Sequence, residues 1–174
     1  MVLSPKTLLE LTGIARHEAD PHTALLKLAD VALVITQSRN VMIARMNDDS
    51  GTLEISIGVG RDWSRIEGEV QPVPISADKG AGIIAYVAAK RERLVTGNVA
   101  NEPAYRDLIA SSQSEVAMPI TDRFDRVRAV LNLESDQPNH YTSEHVEFIE
   151  LLANLVGIVI ARDESTRREE ALEL

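Results

Sequence analysis

The spacing of apolar residues changes twice along this chain, and that change limits the folds open to it. In the middle of the chain, Leu53, Ile55, Ile57 and Val59 alternate with polar or small residues, which predicts a half-buried strand. Together with the strand-like segment 41–46 and the turn residues 47–51, it predicts an antiparallel hairpin. Near the end of the chain, apolar residues recur at helical spacing and form two stripes on one helix.

Start and stop signals give the order of the remaining elements. Ser4-Pro5 and Asp20-Pro21 each predict a helix N-cap followed by proline at the first helical position. A glycine-containing helix start is predicted at 78–82. A further short helix is predicted to open near Pro103 and to carry Tyr105, Leu108 and Ile109. A second hairpin pairs 116–120 with 127–133, and Thr142 begins the last helix.

The predicted fold class is α+β, with a central antiparallel sheet flanked by helices. Helices gather at both ends of the chain, so the N- and C-terminal helices are expected to pack together on one face of the sheet. With 174 residues, the chain is expected to form a single domain over residues 1–163, and residues 164–174 a charged helical extension or tail.

Composition excludes several classes of function. The chain carries 27 acidic and 18 basic residues and a net charge of −9, which argues against direct nucleic-acid binding. No apolar stretch approaches the roughly 20 residues of a membrane span, and no signal peptide is visible. A cytoplasmic location without membrane attachment is therefore expected.

The chain contains no cysteine, which excludes disulfides, thiolate metal sites and thiol catalysis within it. The four histidines, of which only His145 is arguable as a ligand, favour ordinary surface or capping roles. The glycines at 58–60 and 80–82 lack the lysine and hydroxyl residue of a phosphate loop. These observations predict no catalytic residue, no metal site, no cofactor and no enzymatic activity.

Three stretches resemble the GAF domain family, which is related to PAS domains. The first is the glycine-rich helix start at 79–88. The second is the loop 95–105, which is similar to the family's "aspartate-valine, then aspartate-proline-x-tyrosine" pattern. The third comprises 118–120, 129–135 and 141–145, which resemble the closing hairpin and the start of the last helix.

The resemblance spans residues 7 to 162 and implies a ligand pocket between the sheet and the segments that flank it. Flat walls would come from Trp63 and Tyr105, and polar anchors from Arg61, Asn101 and Arg106. The alternative is that Tyr86 and Tyr105 fill the core and the pocket is closed. The predicted pocket residues are Arg61, Trp63, Tyr86, Asn98, Asn101, Tyr105, Arg106 and Met118.

Departures from the family pattern reduce the number of ligand classes that this chain is expected to bind. Asn98 stands where the family commonly has aspartate, and Ala129 where it has glycine. The lysine and the acidic pair of the cyclic-nucleotide signature are absent, which argues against cyclic GMP or AMP. Bilin-binding and methionine-sulfoxide-reducing members use cysteine, so both are excluded for this chain on that ground. A non-covalent ligand of unknown identity remains.

The terminal helices suggest a homodimer. One apolar stripe of the last helix and the first helix could form a bundle with a second copy; the alternative is that both stripes are covered within one chain. The residues predicted for this interface are Leu8, Leu11, Phe148, Leu152, Leu155 and Val159.

The sequence therefore predicts a small-molecule-sensing regulatory domain of a bacterial-type signalling protein. Ligand state would pass through the terminal helices and the dimer to an output domain in a parent protein, such as a kinase, a cyclase or a transcription factor. The alternative is a structural dimerisation module with a degenerate, ligand-free pocket.

Overall fold

A computed structural model describes residues 3–107 and 111–173. The helices are α1 (Pro5–His17), α2 (Pro21–Thr36), α3 (Trp63–Ile66), α4 (Ile83–Lys90) and α5 (Ser143–Leu172). The strands are β1 (Asn40–Asn47), β2 (Thr52–Gly60), β3 (Val73–Pro74), β4 (Leu94–Thr96), β5 (Ser114–Thr121) and β6 (Val127–Ser135).

The six strands form one sheet in the order β3-β2-β1-β6-β5-β4, and all neighbours are antiparallel. The β1–β2 and β5–β6 hairpins join through the β1–β6 pair at the centre, where Val41 lies opposite Leu133. The predicted α+β class with a central antiparallel sheet is confirmed.

Helices cover both faces of the sheet, and strand alternation decides which residues face which layer. Val41, Ile43, Leu131 and Leu133 belong to the larger core, which they form with α1, α2 and α5. Residues at the intervening positions, including Ala44, Ala117 and Val130, pack against α4 on the other face. The sheet therefore separates two apolar layers.

Helix starts follow the sequence signals. The Ser4 hydroxyl accepts a hydrogen bond from the backbone N–H of Thr7 at 3.1 Å, and the Asp20 carboxylate accepts one from Thr23 at 2.8 Å. Thr142 caps α5, and the His145 imidazole accepts from the Thr142 backbone N–H to complete a capping box. These three predicted caps are confirmed.

Two predicted helix positions are wrong. Helix α4 begins at Ile83, because Gly82 has a φ of 105°, which is a non-helical conformation. In place of a helix opening near Pro103, the chain makes one 3₁₀ turn over Val99–Asn101 and no helix follows through residue 107. Leu108 and Ile109, which that helix was to carry, lie outside the described residues.

The apolar stripes of α5 are covered within the chain, which corrects the predicted dimer surface. Helix α5 contacts α1 and α2 as well as β5 and β6, so both of its stripes face other parts of the same chain. Five of the six predicted interface residues are buried: Leu11, Phe148, Leu152, Leu155 and Val159. Leu8 is 38% exposed.

Beyond this core, α5 continues as a charged helix. Its 30 residues span about 45 Å, and residues 165–173 are exposed. Two ion pairs join the sheet to α5 where it leaves the core: Arg45 to Asp163 at 2.8 Å and Arg128 to Glu164 at 2.8 Å. Within residues 3–107 and 111–173, no helix is both long and apolar enough to cross a membrane.

We predict that Leu152→Ala lowers the free energy of unfolding by about 2–5 kcal/mol, because Leu152 is 1% exposed in the larger core. Ile158→Ala is the matched control on the same helix, since Ile158 is 41% exposed, and it should change stability by less than about 1 kcal/mol. Urea unfolding followed by circular dichroism measures both. A change of oligomeric state in Leu152→Ala with little loss of stability would contradict this assignment.

Candidate functional site

A cavity of about 160 Å³ lies between the sheet and the segments that cover its α4 face. Strands β1, β5 and β6 form its floor, the segment before β3 and the start of α4 form its walls, and Arg106 lies beside them. Its lining residues are Met42, Glu69, Val70, Gln71, Pro72, Val73, Ala81, Gly82, Ile83, Ile84, Arg106, Glu115, Asn132 and Glu134.

The polar residues of the floor come from neighbouring strands. Glu115 on β5 lies directly opposite Glu134 on β6, and opposite residues of an antiparallel pair share a face. Asn132 lies two residues before Glu134 on β6 and opposite Met42 on β1. The two carboxyls and the amide therefore lie side by side beneath the cavity.

All three side chains are buried: Asn132 is 1% exposed, Glu115 3% and Glu134 5%. Among the residues that the structure describes, neither Nδ2 nor Oδ1 of Asn132 has a hydrogen-bond partner. Leaving a buried polar group unpaired costs about 1–3 kcal/mol. Such a group in a folded protein calls for an explanation, and here it borders a cavity.

Burial changes the proton affinity of both carboxyls. Burial raises the pKa of Glu134 to about 7, against a lowering by the Ser112 hydroxyl, which donates to it at 3.0 Å. Burial also raises the pKa of Glu115 well above its ordinary value, and the charge of Glu134 adds to this increase. The nearby Asn132 amide opposes both increases, although it makes no well-formed hydrogen bond. Both carboxyls therefore ionise at a higher pH than an exposed glutamate does.

A network of ion pairs around Asp62 holds α3 against the edge of this region. The Arg39 guanidinium donates to the buried Asp62 carboxylate at 2.6 Å, and the Asn40 amide donates to it at 3.1 Å. The backbone N–H of Asp62 in turn donates a hydrogen bond to Asn40 Oδ1 at 3.0 Å. Hydrogen bonds from Arg39 and Asn40 hold the pKa of Asp62 well below its usual range. Asn40 lies opposite Glu134, so this network borders the carboxyl pair.

Of the eight pocket residues that the sequence predicted, Arg106 alone belongs to the described lining of the cavity. Met118 faces the opposite side of the sheet and packs in the larger core, because strand alternation points it away from Glu115 and Ala117. The Trp63 ring covers Gly58, and Arg61 is exposed to solvent.

The remaining four predicted residues lie elsewhere. Tyr86 is half-buried beneath the ammonium of Lys90. Asn98 accepts a hydrogen bond from the backbone of Ala100 at the start of the 3₁₀ turn, and Asn101 is exposed. Tyr105 packs against the α4 layer, and burial raises the pKa of its hydroxyl.

Sequence reasoning missed Glu115, Asn132 and Glu134. The alternation along 127–134 marks Asn132 and Glu134 as polar positions of a strand, and such positions are usually solvent-exposed. A signal was nonetheless present, because a helix predicted at 83–88 needs a sheet face to cover. Polar residues on that covered face would then be buried.

A second, larger groove of about 600 Å³ lies between the β5–β6 hairpin and α5. Charged side chains along this groove pair with one another. Arg126 pairs with Asp122, and Arg128 and Arg168 pair with Glu164. Because these charges are already satisfied, this groove is a weaker candidate than the cavity beside Asn132.

Comparison with known proteins agrees with this architecture. A family model described as the GAF domain matches residues 18–161. The chain belongs to the GAF domain family. No curated protein matches this GAF domain in sequence.

Solved structures of the same fold include domains of different roles. The GAF domain of a phosphoenolpyruvate-protein phosphotransferase from Coxiella burnetii has a TM-score of 0.81 at 16% identity, over 94% of this chain and 95% of that one. The free methionine-R-sulfoxide reductase from Neisseria meningitidis, solved with its substrate, has a TM-score of 0.78 at 17% identity, over 95% of this chain and 96% of that one. At such identities the likeness shows the fold alone.

The reductase structures correct one prediction. The prediction of no enzymatic activity, drawn partly from the family resemblance, is wrong, because the similar structures include enzymes. Membership of the GAF family therefore does not exclude enzymatic activity.

We predict that the free energy of unfolding falls by about 3 kcal/mol between about pH 5 and pH 8 because of Glu134. In the unfolded chain this carboxyl ionises near its ordinary pKa of 4.5, whereas in the folded chain it ionises only near 7. The unfolded state is therefore favoured as the pH rises through this window. Urea unfolding at a series of pH values measures the slope.

In Glu134→Gln this fall should be smaller, because the ionising group is gone. Glu67→Gln is the control, since Glu67 is exposed and lies outside the cavity lining, and it should keep the wild-type pH profile. Equal slopes in all three proteins would show that Glu134 ionises normally in the folded state.

Proposed function

We propose that this GAF domain is a small-molecule-sensing regulatory domain and that the cavity beside Asn132 is its ligand site. The single observation that carries the proposal is the Asn132 amide, which is buried, borders the cavity and has no partner among the described residues. A ligand with a donor and an acceptor would pair both of its polar atoms. This would remove the free-energy cost that the unoccupied domain carries.

The size of the cavity supports a small metabolite. A volume of about 160 Å³ is several times the roughly 30 Å³ share of one water molecule. It is smaller than the roughly 300–1,000 Å³ of sites for drug-sized ligands. The Neisseria reductase, a domain of the same fold, was solved with its own substrate bound, which supports small-molecule binding in this fold.

The position of the cavity supports a route from ligand to α5. Its floor includes β1 and β6, and the same two strands carry Arg45 and Arg128, which pair with Asp163 and Glu164 of α5. A ligand that favours one arrangement of the two strands would change how α5 leaves the core. Such a shift requires that the ligand bind the two arrangements with different affinities.

The homodimer, the output domain and the cytoplasmic location stay predictions. Apolar side chains on the outer surface of the terminal helices support an interaction surface there: Leu9 is 74% exposed and Val34 73%. This observation favours the second candidate function, a dimerisation module with an empty pocket.

A thermal-shift screen separates the two functions. Purines, amino acids, 2-oxo acids and tetrapyrroles are tested against the wild-type domain and two variants. We expect one class to raise Tm by about 5 °C or more at roughly 100 times its Kd. Ala81→Leu should abolish the shift, because Ala81 lines the cavity.

Ala100→Leu is the matched control, since Ala100 is exposed and lies outside the cavity, and it should keep the full shift. Circular dichroism melts of both variants establish that each is folded. The absence of any shift in the wild type would favour the dimerisation module, and sedimentation of the domain would then test it.

A further inference from the structure

The charge of the cavity lining is unbalanced. Three carboxyls, Glu69, Glu115 and Glu134, line it together with one guanidinium, Arg106. Glu69 and Arg106 are exposed to water, whereas Glu115 and Glu134 are buried. The buried part of the cavity therefore contains carboxyls and no basic side chain among its described lining.

Two carboxyls in register on neighbouring strands cannot both ionise at low cost. Glu115 lies opposite Glu134, and like charges directly across a strand pair are destabilising. The repulsion can be relieved by a proton or by a positive group between the carboxyls. Only the positive group would allow both to be charged at neutral pH.

Asn132 gives an independent indication of a ligand. Its amide is 1% exposed, borders the same cavity, and both Nδ2 and Oδ1 lack a partner among the described residues. Nδ2 needs an acceptor and Oδ1 needs a donor. A ligand that pairs with Asn132 would therefore carry both an acceptor and a donor, and these would lie next to its positive charge.

An organic cation fits these requirements better than a metal ion does. A hard metal ion is held by oxygen ligands, so it would occupy Oδ1 and leave Nδ2 unpaired. In the described part of the chain, no cluster of three or more histidine, aspartate or glutamate side chains could hold a metal ion.

We propose that the cavity binds a small organic cation, with its protonated nitrogen between Glu115 and Glu134 and an adjacent carbonyl or amide group paired with Asn132. This inference rests on the proposed function, since it names the ligand class of the same site. Ion pairing with two buried carboxylates would select a cation against a neutral analogue of the same shape.

Other ionisable groups around the pair affect its titration. Besides the pair itself, the acidic and basic side chains near it are Asp62, Glu69, Glu102, Arg106 and Asp107. The hydroxyls of Tyr105 and Tyr141 also interact electrostatically with the pair. Burial raises the pKa of both hydroxyls, so they stay neutral. Asp62 is paired with Arg39 and Arg65, so the acidic side chains that add to the preference for a cation are Glu69, Glu102 and Asp107, with Arg106 opposing them.

The experiment compares three probes that share a carboxamide for Asn132 and differ in charge at the other end. β-Alaninamide carries an ammonium, 3-hydroxypropanamide a neutral hydroxyl, and succinamate a carboxylate. Isothermal titration calorimetry on the wild-type chain gives each affinity, repeated in buffers of different ionisation enthalpy to count protons released. Mg²⁺ and Ca²⁺ are titrated separately.

We expect β-alaninamide to bind at least about tenfold more tightly than 3-hydroxypropanamide, and succinamate not to bind. Binding of the cation should release protons. Its affinity should rise at least about tenfold between pH 6 and pH 8, because the cation binds the ionised pair, Glu134 has a pKa of about 7 and the pKa of Glu115 is also raised. Glu134→Gln and Glu115→Gln should each lose most of the preference for the cation, while the exposed Glu67→Gln keeps it.

Equal or tighter binding of the neutral or anionic probe would overturn the cation and leave a ligand site, so the proposed function would stand. Tight binding of Mg²⁺ or Ca²⁺ that Glu115→Gln abolishes would also overturn the organic cation. If β-alaninamide does not bind, the inference fails. The wider screen described above then decides whether the site binds any ligand at all.

Discussion

The pairing of β1 with β6 is the interaction on which the rest of the structure depends. It joins two local hairpins into one six-stranded sheet and is buried on both faces. Alternation along these strands sends Val41, Leu131 and Leu133 into the layer of α1, α2 and α5. It sends Met42 and Asn132 to the face that α4 and the cavity occupy. The register of the β1–β6 pair thus determines both which residues form the larger core and where the candidate site lies.

The two faces of the sheet use polar residues in opposite ways. Around α5, charged groups meet partners of opposite sign, such as Asp163 with Arg45 and Arg167. On the α4 face, two carboxyls share one buried position and an amide lacks any described partner. A fold tolerates such local instability when its cores are otherwise well packed, and functional sites are where such departures concentrate. The contrast singles out the small cavity, although the outer groove is larger.

Much of the fold was predictable because its signals are local. The caps at Ser4, Asp20 and Thr142 follow from side chains that bond to backbone N–H groups three residues on. Both hairpins follow from alternation and turn residues. The site was predictable only in part. Arg106 lies at the cavity, but Met118 was assigned to the wrong face, and the covered stripe of α5 was taken for a dimer surface. Each error concerns which neighbour a side chain meets, and a family pattern does not carry that information.

The sequence by itself determined the α+β class, the antiparallel hairpins, the long last helix and the absence of any cysteine chemistry in this chain. These properties depend on periodicity and on residues close together in the chain. Only the tertiary structure decided that Glu115, Asn132 and Glu134 lie together, buried on the floor of one cavity, and that both stripes of α5 are covered within one chain. Burial is set by segments distant in sequence, here β1, β5, β6 and α4. The polarity of a residue alone does not tell whether water or another part of the chain covers it.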